Sequence, residues 1–185
     1  DVDYEAAGAV IVKSAKEIFE QAELIVRVKE PQPNECTQLQ EGQILFTYFH
    51  LAPDPRQTTL LMESKATAIA YETVTSAFGD LPLLTPMSQV AGRLSIQAGA
   101  YSLEKHKGGS GILLGGVPGV SPANVLVIGG GSVGTNAASM AIGLGANVTV
   151  LDKSLRRLKE LNFQFGSMLH TIYATTESIE KYVSC

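Results

Sequence analysis

An α/β fold built on parallel sheets is predicted by three features of the sequence. Short apolar runs alternate with helical patterns through the first half. A glycine loop stands between a strand and a helix in the second half. A long helix of small residues lies between the two. Strands alternating with helices imply βαβ units, whose crossovers make neighbouring strands parallel.

In the first half, VIV at 10–12 is a strand candidate. Residues 14–22 read as a helix that opens with a serine cap and carries Ile18 and Phe19 on one face. LIVRV at 24–28 is a strand running into Lys29-Glu30-Pro31, and ILFTYF at 44–49 is a strand running into His50 and a proline-marked loop. Residues 55–66 read as a helix and TAIAY at 67–71 as a strand. The longest helical pattern spans 88–106, with Val90, Ala91, Leu94, Ala98 and Tyr101 on the 3.6-residue period. Gly92 and Gly99 each cost about 1 kcal/mol inside a helix, a penalty that close approach of another backbone would offset. Such a helix suits an interface between domains or subunits, and equally the core of its own domain. Six glycines and two prolines make 108–122 irregular, read as a crossing between domains or a flexible linker.

In the second half, the sequence predicts strands at 125–128, 148–151 and 168–173 and helices at 132–144, 155–161 and 177–182. Gly145 stands where a helix takes a left-handed terminal residue. Gly129, Gly131 and Gly134 form G-x-G-x-x-G between strand and helix, and the next strand ends in Asp152. In that context the motif marks a Rossmann-type dinucleotide site. Gly129 permits the tight turn, Gly131 lets a pyrophosphate approach, and Gly134 lets helix and strand lie close. The helix start at Ser132 offers N–H groups and partial positive charge to phosphate. Asp152 is placed to accept ribose hydroxyls and to repel a 2′-phosphate, so NAD is the expected cofactor. Arg156 and Arg157 work against that discrimination if they face a phosphate, and read otherwise as an exposed helix face.

The bulk numbers exclude several classes. The 185 residues are 45% hydrophobic and carry a net charge of −4. That balance argues against a nucleic-acid surface, which needs a basic face. No apolar run reaches membrane-spanning length, and the start, DVDYEAAG, has no signal-peptide pattern. Cys36 and Cys185 have no metal-ligand spacing, so no metal and a reduced, cytoplasmic setting are expected. A beginning at aspartate and an end just past a helical pattern suggest a piece of a longer protein.

VRVKEPQ (26–32), FTYFHLAPD (46–54), AIAYETV (68–74), LPLLTPMSQVAGR (81–93), GILLGGVPGV (111–120) and VIGGGSVG (127–134) together resemble bacterial alanine dehydrogenase over essentially the whole chain. The resemblance implies two Rossmann-like parallel-sheet domains joined by a long helix, both incomplete here. It implies a substrate domain over 1–86, a connecting helix and glycine-rich crossing over 87–118, and the N-terminal half of an NAD-binding domain over 119–185. It further implies reversible oxidative deamination of L-alanine to pyruvate and ammonium, with an active site in the cleft between domains and a homo-hexameric assembly. By resemblance His50 is the catalytic acid–base and Lys29 holds the substrate. Tyr48 and Met87 flank the substrate, Ser88 lies near the cofactor phosphates, Asp152 binds the ribose, and Arg157 lies near the adenosine.

Taken alone, His50 reads as a packing residue and Lys29 as a solvated strand end. His106, at a helix end, and His170, in a strand-like segment, receive no functional role. The sequence departs from the family pattern at Ala174, where many members carry serine. The family's N-terminal substrate arginine and a late aspartate have no counterpart in these residues, so a piece inactive by itself is expected. Two other readings compete. One is the NAD-binding subunit of proton-translocating transhydrogenase, a relative that lacks the histidine at the position of His50. The other is a noncatalytic remnant.

Overall fold

Two compact units divide the chain, the first spanning Asp1–Leu84 and the second beginning at Thr85. The structure, a computed structural model, describes residues 1–184, so Cys185 lies outside the described residues.

In the first unit the elements run α1 (Val2–Ala6), α2 (Ala15–Gln21), β1 (Leu24–Val26), α3 (Pro33–Cys36), β2 (Ile44–Thr47), α4 (Pro55–Ser64) and β3 (Thr67–Ala70). The strands form one parallel sheet in the order β1-β2-β3. Alternation along β2 buries Leu45 and Thr47 completely. Leu45 joins Phe19, Ile25, Cys36, Leu39, Phe49 and Leu61 in the core. Local chemistry sets the helix ends. Ser14 Oγ accepts the Glu17 N–H at the start of α2, and Asp54 Oδ1 accepts the Gln57 N–H at the start of α4. The buried Gln43 side chain donates to the carbonyls of Ala22 at 2.6 Å and Phe19 at 3.1 Å, tying the end of α2 to the start of β2.

Cys36 is 1% exposed, and its Sγ donates weakly to the Pro31 carbonyl. Burial first, and then the neighbouring Glu35 charge, push its thiol pKa up.

Several expectations change in this unit, and the strand expected over 24–28 stops at Val26. Residues 10–12 are not a strand: Val10 and Ile11 are exposed, and no ladder forms there to satisfy their backbone. The strand predicted over 44–49 stops at Thr47, because the N–H groups of Phe49 and His50 are taken by the Glu72 carboxylate. The short helices α1 and α3 were not expected. The latter is closed by Glu35, whose side chain accepts the Gln32 N–H.

The second unit comprises α5 (Thr85–Ser102), β4 (Asn124–Ile128), α6 (Ser132–Gly143), β5 (Asn147–Asp152), α7 (Leu155–Phe165), β6 (Leu169–Tyr173) and α8 (Thr176–Val183). Its sheet is parallel in the order β4-β5-β6. Ala137, Ala138 and Ala141 of α6 share a core with Val127, Val148 and Val150 of the sheet, joined by Leu161, Phe165 and Ile96 among others. The glycine-rich stretch 108–122 folds within this unit. The N–H of Ala123, the residue after it, donates to Leu114 O at 2.9 Å, and Val117 and Val120 exchange hydrogen bonds. Gly145 has φ +84°, the left-handed conformation expected after α6.

The helix predicted over 88–106 begins earlier, at Thr85, and ends at Ser102. The Gly111 N–H turns back to Leu103 O at 2.7 Å, and Lys105–Lys107 form a separate 3₁₀ turn. The small residues of α5 now have an explanation at one position. Gly92 is buried against α6, where an added Cβ would overlap Val133 O and lie 2.9 Å from Asn136 Cβ. At Gly99 an added Cβ meets nothing within 4 Å.

The two glycines therefore predict opposite outcomes. Gly92→Ala should destabilise the protein by about 1–3 kcal/mol through overpacking, whereas Gly99→Ala should stabilise it by about 0.5–1 kcal/mol through helix propensity. Urea unfolding of the two variants checks this, and equal midpoints would refute the contact at Gly92.

Candidate functional site

The turn after β4 is built from backbone. Gly129 has φ +96°, and its N–H donates to Leu151 O at 2.7 Å. Gly134 is where α6 meets the turn: an added Cβ would overlap Gly129 O and lie 3.1 Å from Val127 Cγ1. Gly131 is the N-cap of α6 and supplies no side-chain cap, while an added Cβ there meets nothing within 4 Å. The first-turn N–H groups of a 12-residue helix are thus left without a side-chain acceptor from the cap. A cavity of about 590 Å³ opens here, bounded by Ser88 of α5 and by Gly129, Gly131, Ser132 and Gly134.

Asp152 and Arg157 meet at Gly130, a residue the motif leaves unspecified. Asp152 Oδ2 accepts the Gly130 N–H at 2.7 Å, and Oδ1 accepts the Ser154 N–H at 2.7 Å. Arg157 donates from Nε to Gly130 O at 2.6 Å, from Nη2 to Thr135 Oγ1 at 2.6 Å and from Nη1 to Glu160 at 2.8 Å. Its planar fork spans the loop, the first turn of α6 and α7. Arg156, by contrast, is exposed and pairs with Glu160 on the surface of α7. An added Cβ at Gly130 would lie 2.6 Å from Leu161 Cδ1, so a side chain at this fourth glycine would make the end of Leu161 shift beneath the loop.

In the first unit the carboxyl ends of neighbouring strands carry Lys29, Tyr48 and His50. Thr47 Oγ1 contacts the carbonyls of Lys29 at 2.9 Å and Val28 at 3.2 Å, which ties the chain leaving β1 to the end of β2. His50 is exposed and adopts φ +49°, a conformation costing of order 1 kcal/mol for a residue other than glycine. Its ring stacks on Tyr48 with centroids 5.9 Å apart and planes 14° apart. The Tyr48 hydroxyl donates to Leu83 O, and Tyr71 meets the Tyr48 ring edge-on at 5.0 Å.

Glu72, just past β3, accepts the Phe49 N–H at 3.0 Å and the His50 N–H at 2.9 Å. Burial pushes the Glu72 pKa up, but the N–H groups of His50, Glu72 itself and Phe49 outweigh it and hold the carboxyl below its ordinary value. Glu72 is not among the residues to which the sequence assigns a role. The available signal was a carboxylate at a strand end level with His50. Just past β1, Arg27 pairs with Glu35 at 2.7 Å. Burial again raises the carboxyl, and it is overcome by the Gln32 N–H and then by Arg27.

The expected site residues therefore fall into two sets. Tyr48 and His50 touch, and Thr47 links their strand to Lys29. Ser88, Gly129, Gly131, Ser132 and Gly134 share one cavity, with Asp152 and Arg157 braced against Gly130. Met87 is exposed on α5 beside Ser88. His106 pairs with Glu104 at 3.3 Å, and His170 is exposed on β6. Among the described residues no group of three or more His, Cys, Asp or Glu could hold a metal, and no helix is long and apolar enough to cross a membrane.

A parallel sheet whose first strand turns through a glycine loop into a helix defines the Rossmann class. The family description "Alanine dehydrogenase/PNT, N-terminal domain" matches residues 1–91, and "Alanine dehydrogenase/PNT, C-terminal domain" matches residues 95–185. The chain belongs to the alanine dehydrogenase/PNT family. It is 56% identical over 183 residues to alanine dehydrogenases of Methanococcus maripaludis and Halomonas elongata, covering 99% of this chain and 49% of each relative. It thus spans about half the length of the curated relatives it matches. A solved L-alanine dehydrogenase superposes with a TM-score of 0.86 at 52% identity, covering 100% of this chain and 51% of that one. The transhydrogenase from Sinorhizobium meliloti superposes at 0.70 with 21% identity, covering 100% of this chain and 53% of that one, a likeness of fold alone.

The lowered carboxyls of Glu35 and Glu72 fix the sign of an acid response. A group whose folded pKa lies below its unfolded value stabilises the fold above the unfolded value and loses that contribution as pH falls through the folded one. Stability should therefore drop as pH falls below the ordinary carboxyl value of 4.5. Urea midpoints measured between about pH 6 and pH 3 should fall less steeply in Glu35→Gln than in the unmodified protein. An identical slope would mean that the Arg27–Glu35 pair does not contribute.

Proposed function

We propose that this chain carries the substrate and cofactor residues of an NAD-dependent alanine dehydrogenase. The observation that supports this most is the pair of strand ends in the first unit, where β1 leads to Lys29 and β2 leads to an exposed His50. Ligands in parallel α/β sheets gather at the carboxyl ends of strands. The proposed domain assignment is substrate binding over 1–86, connection over 87–118 and cofactor binding over 119–185.

The residues present fit the cofactor. Gly129 has the positive φ of the tight turn, Gly131 leaves open space, and α6 starts without a side-chain cap. Gly129, Gly131, Ser132 and Gly134 would hold the pyrophosphate, with Ser88 near it across the same cavity. Bound there, NAD would supply a hydride acceptor. Asp152 keeps lone pairs for the ribose hydroxyls beyond its bonds to Gly130 and Ser154. Two like charges about 4 Å apart near a surface repel by roughly 4 kcal/mol, so Asp152 favours NAD over NADP. Arg157 is directed at Gly130 and Thr135, so its contribution is to fix the shape of the loop.

Lys29 orients the alanine carboxylate, and Tyr48 and Met87 flank the substrate. With the alanine ammonium first giving one proton to solvent and the Cα hydride going to the acceptor that NAD would supply, an iminium would remain. His50 takes a proton as water adds, then returns one as ammonia leaves, giving pyruvate and ammonium. An imidazole suits both steps because it can be acid and base near neutral pH. A homo-hexamer in the cytoplasm is the proposed state. The exposed apolar positions Met87, Val90 and Leu94 of α5 support assembly, and a monomer in sedimentation of the complete natural chain would remove that part.

In the complete natural chain carrying these residues, His50→Ala should lower kcat by about 10²-fold or more, the scale of lost general acid–base catalysis. Its pH profile should lose a limb while NAD binding stays unchanged. Lys29→Ala should raise the KM for alanine. Calorimetry should show NAD binding more tightly than NADP. Near-normal turnover in His50→Ala would return the histidine to a packing role.

A further inference from the structure

We infer that Glu72 is the positioning residue for His50, a carboxylate that fills a backbone nest at the end of β2 and fixes where the imidazole stands. The inference rests on the reading of His50 as the acid–base.

Three observations carry it. First, two successive N–H groups converge on one carboxylate: Phe49 N lies 3.0 Å and His50 N 2.9 Å from Glu72 Oε1, with Oε2 a further 3.4 Å from Phe49 N. Successive N–H groups aimed at one anion make a nest, and here the anion is built into the chain. Second, His50 has φ +49°, and the nest is what holds a side-chain-bearing residue there. The left-handed turn redirects the chain, so the imidazole leaves the line of the strand. Third, Glu72 is itself fixed by register. Thr47 pairs with Ala70 across β2 and β3, which places Glu72, two residues on, level with Phe49.

The ring is braced from its other side. Tyr48 stacks on His50, Tyr71 meets Tyr48 edge-on, and the Tyr48 hydroxyl is held by Leu83 O. Glu72 therefore governs the backbone of His50, and Tyr48 governs its ring plane. Among the causes that lower the Glu72 carboxyl, after its N–H bonds, is the electrostatic influence of His50.

The charge of Glu72 is the part that matters. Glu72→Gln keeps the length and one carbonyl acceptor, but presents an NH₂ group where the second carboxylate oxygen stood. The amide oxygen can still accept both N–H groups, but it carries no negative charge and its NH₂ replaces Oε2 beside the Phe49 N–H, donor facing donor, so the nest loosens. Misplacement of a reacting group by about 1 Å can cost 10²-fold in rate. A positioning role predicts that this loss passes entirely through His50.

The test is a double-mutant cycle in the complete natural chain. Glu72→Gln should lower kcat by about 10- to 100-fold, with little change in the KM for alanine or in NAD binding. In the His50→Ala background the same substitution should cause no further loss. An equal loss in both backgrounds would overturn the inference, as would full activity of Glu72→Gln beside an impaired His50→Ala. Full activity of His50→Ala would instead overturn the catalytic reading of the histidine, and with it the inference. A second measurement needs no variant of Glu72. In the unmodified protein the amide proton resonances of Phe49 and His50 should shift together on acidification, with a midpoint below the ordinary carboxyl value of 4.5. Amides that stay still through that range would overturn the nest.

Discussion

Parallel pairing is the constraint on which the rest of this molecule depends. A parallel strand cannot turn straight back into its neighbour, so every connection must cross over the sheet. All strands of one sheet then release their chains at the same edge. In the first unit that edge carries Lys29 beyond β1, His50 beyond β2 and Glu72 beyond β3, though they are distant in sequence. In the second it carries the glycine turn beyond β4 and Asp152 at the end of β5. Topology, rather than sequence proximity, makes these residues neighbours.

The same device closes both edges. In each sheet a carboxylate at the end of one strand accepts main-chain N–H groups from the turn that leaves the strand beside it. Asp152 of β5 takes the Gly130 N–H beyond β4, and Glu72, past β3, takes the Phe49 and His50 N–H groups beyond β2. A turn at a sheet edge has lost its ladder partners and must find acceptors elsewhere. An ionised carboxylate is a strong one. Each acid thereby shapes the backbone beside it while keeping some capacity to accept further hydrogen bonds.

Much of this was readable from sequence because it rests on local rules. Ser14 before an apolar-faced segment and Gly145 after one behaved as helix ends, since capping involves only a few consecutive residues. The G-x-G-x-x-G spacing reports steric demands that only glycine meets, as the overlap at Gly134 illustrates. What failed depended on partners. The VIV run at 10–12 has strand-forming residues but no neighbour with which to pair. The strand ending at Thr47 was overextended because an acid some twenty residues on takes the next N–H groups. Arg157 is expected near the adenosine by resemblance alone, and its grip on Gly130 and Thr135 requires α7 to lie against the glycine loop, a fact of packing.

The burial of Cys36 makes the first unit report on its own integrity. Its sulfur is closed off from solvent, and its thiol is held protonated by burial and by the charge of Glu35. A thiol-reactive label needs both access and thiolate, so it can modify this position only during excursions that part α3 from the sheet. The chain's other cysteine, Cys185, lies outside the described residues, and the masses of the peptides carrying Cys36 and Cys185 separate the two labels. The rate of labelling at Cys36 therefore serves as a clock for the breathing of one sheet, read by mass without an introduced probe.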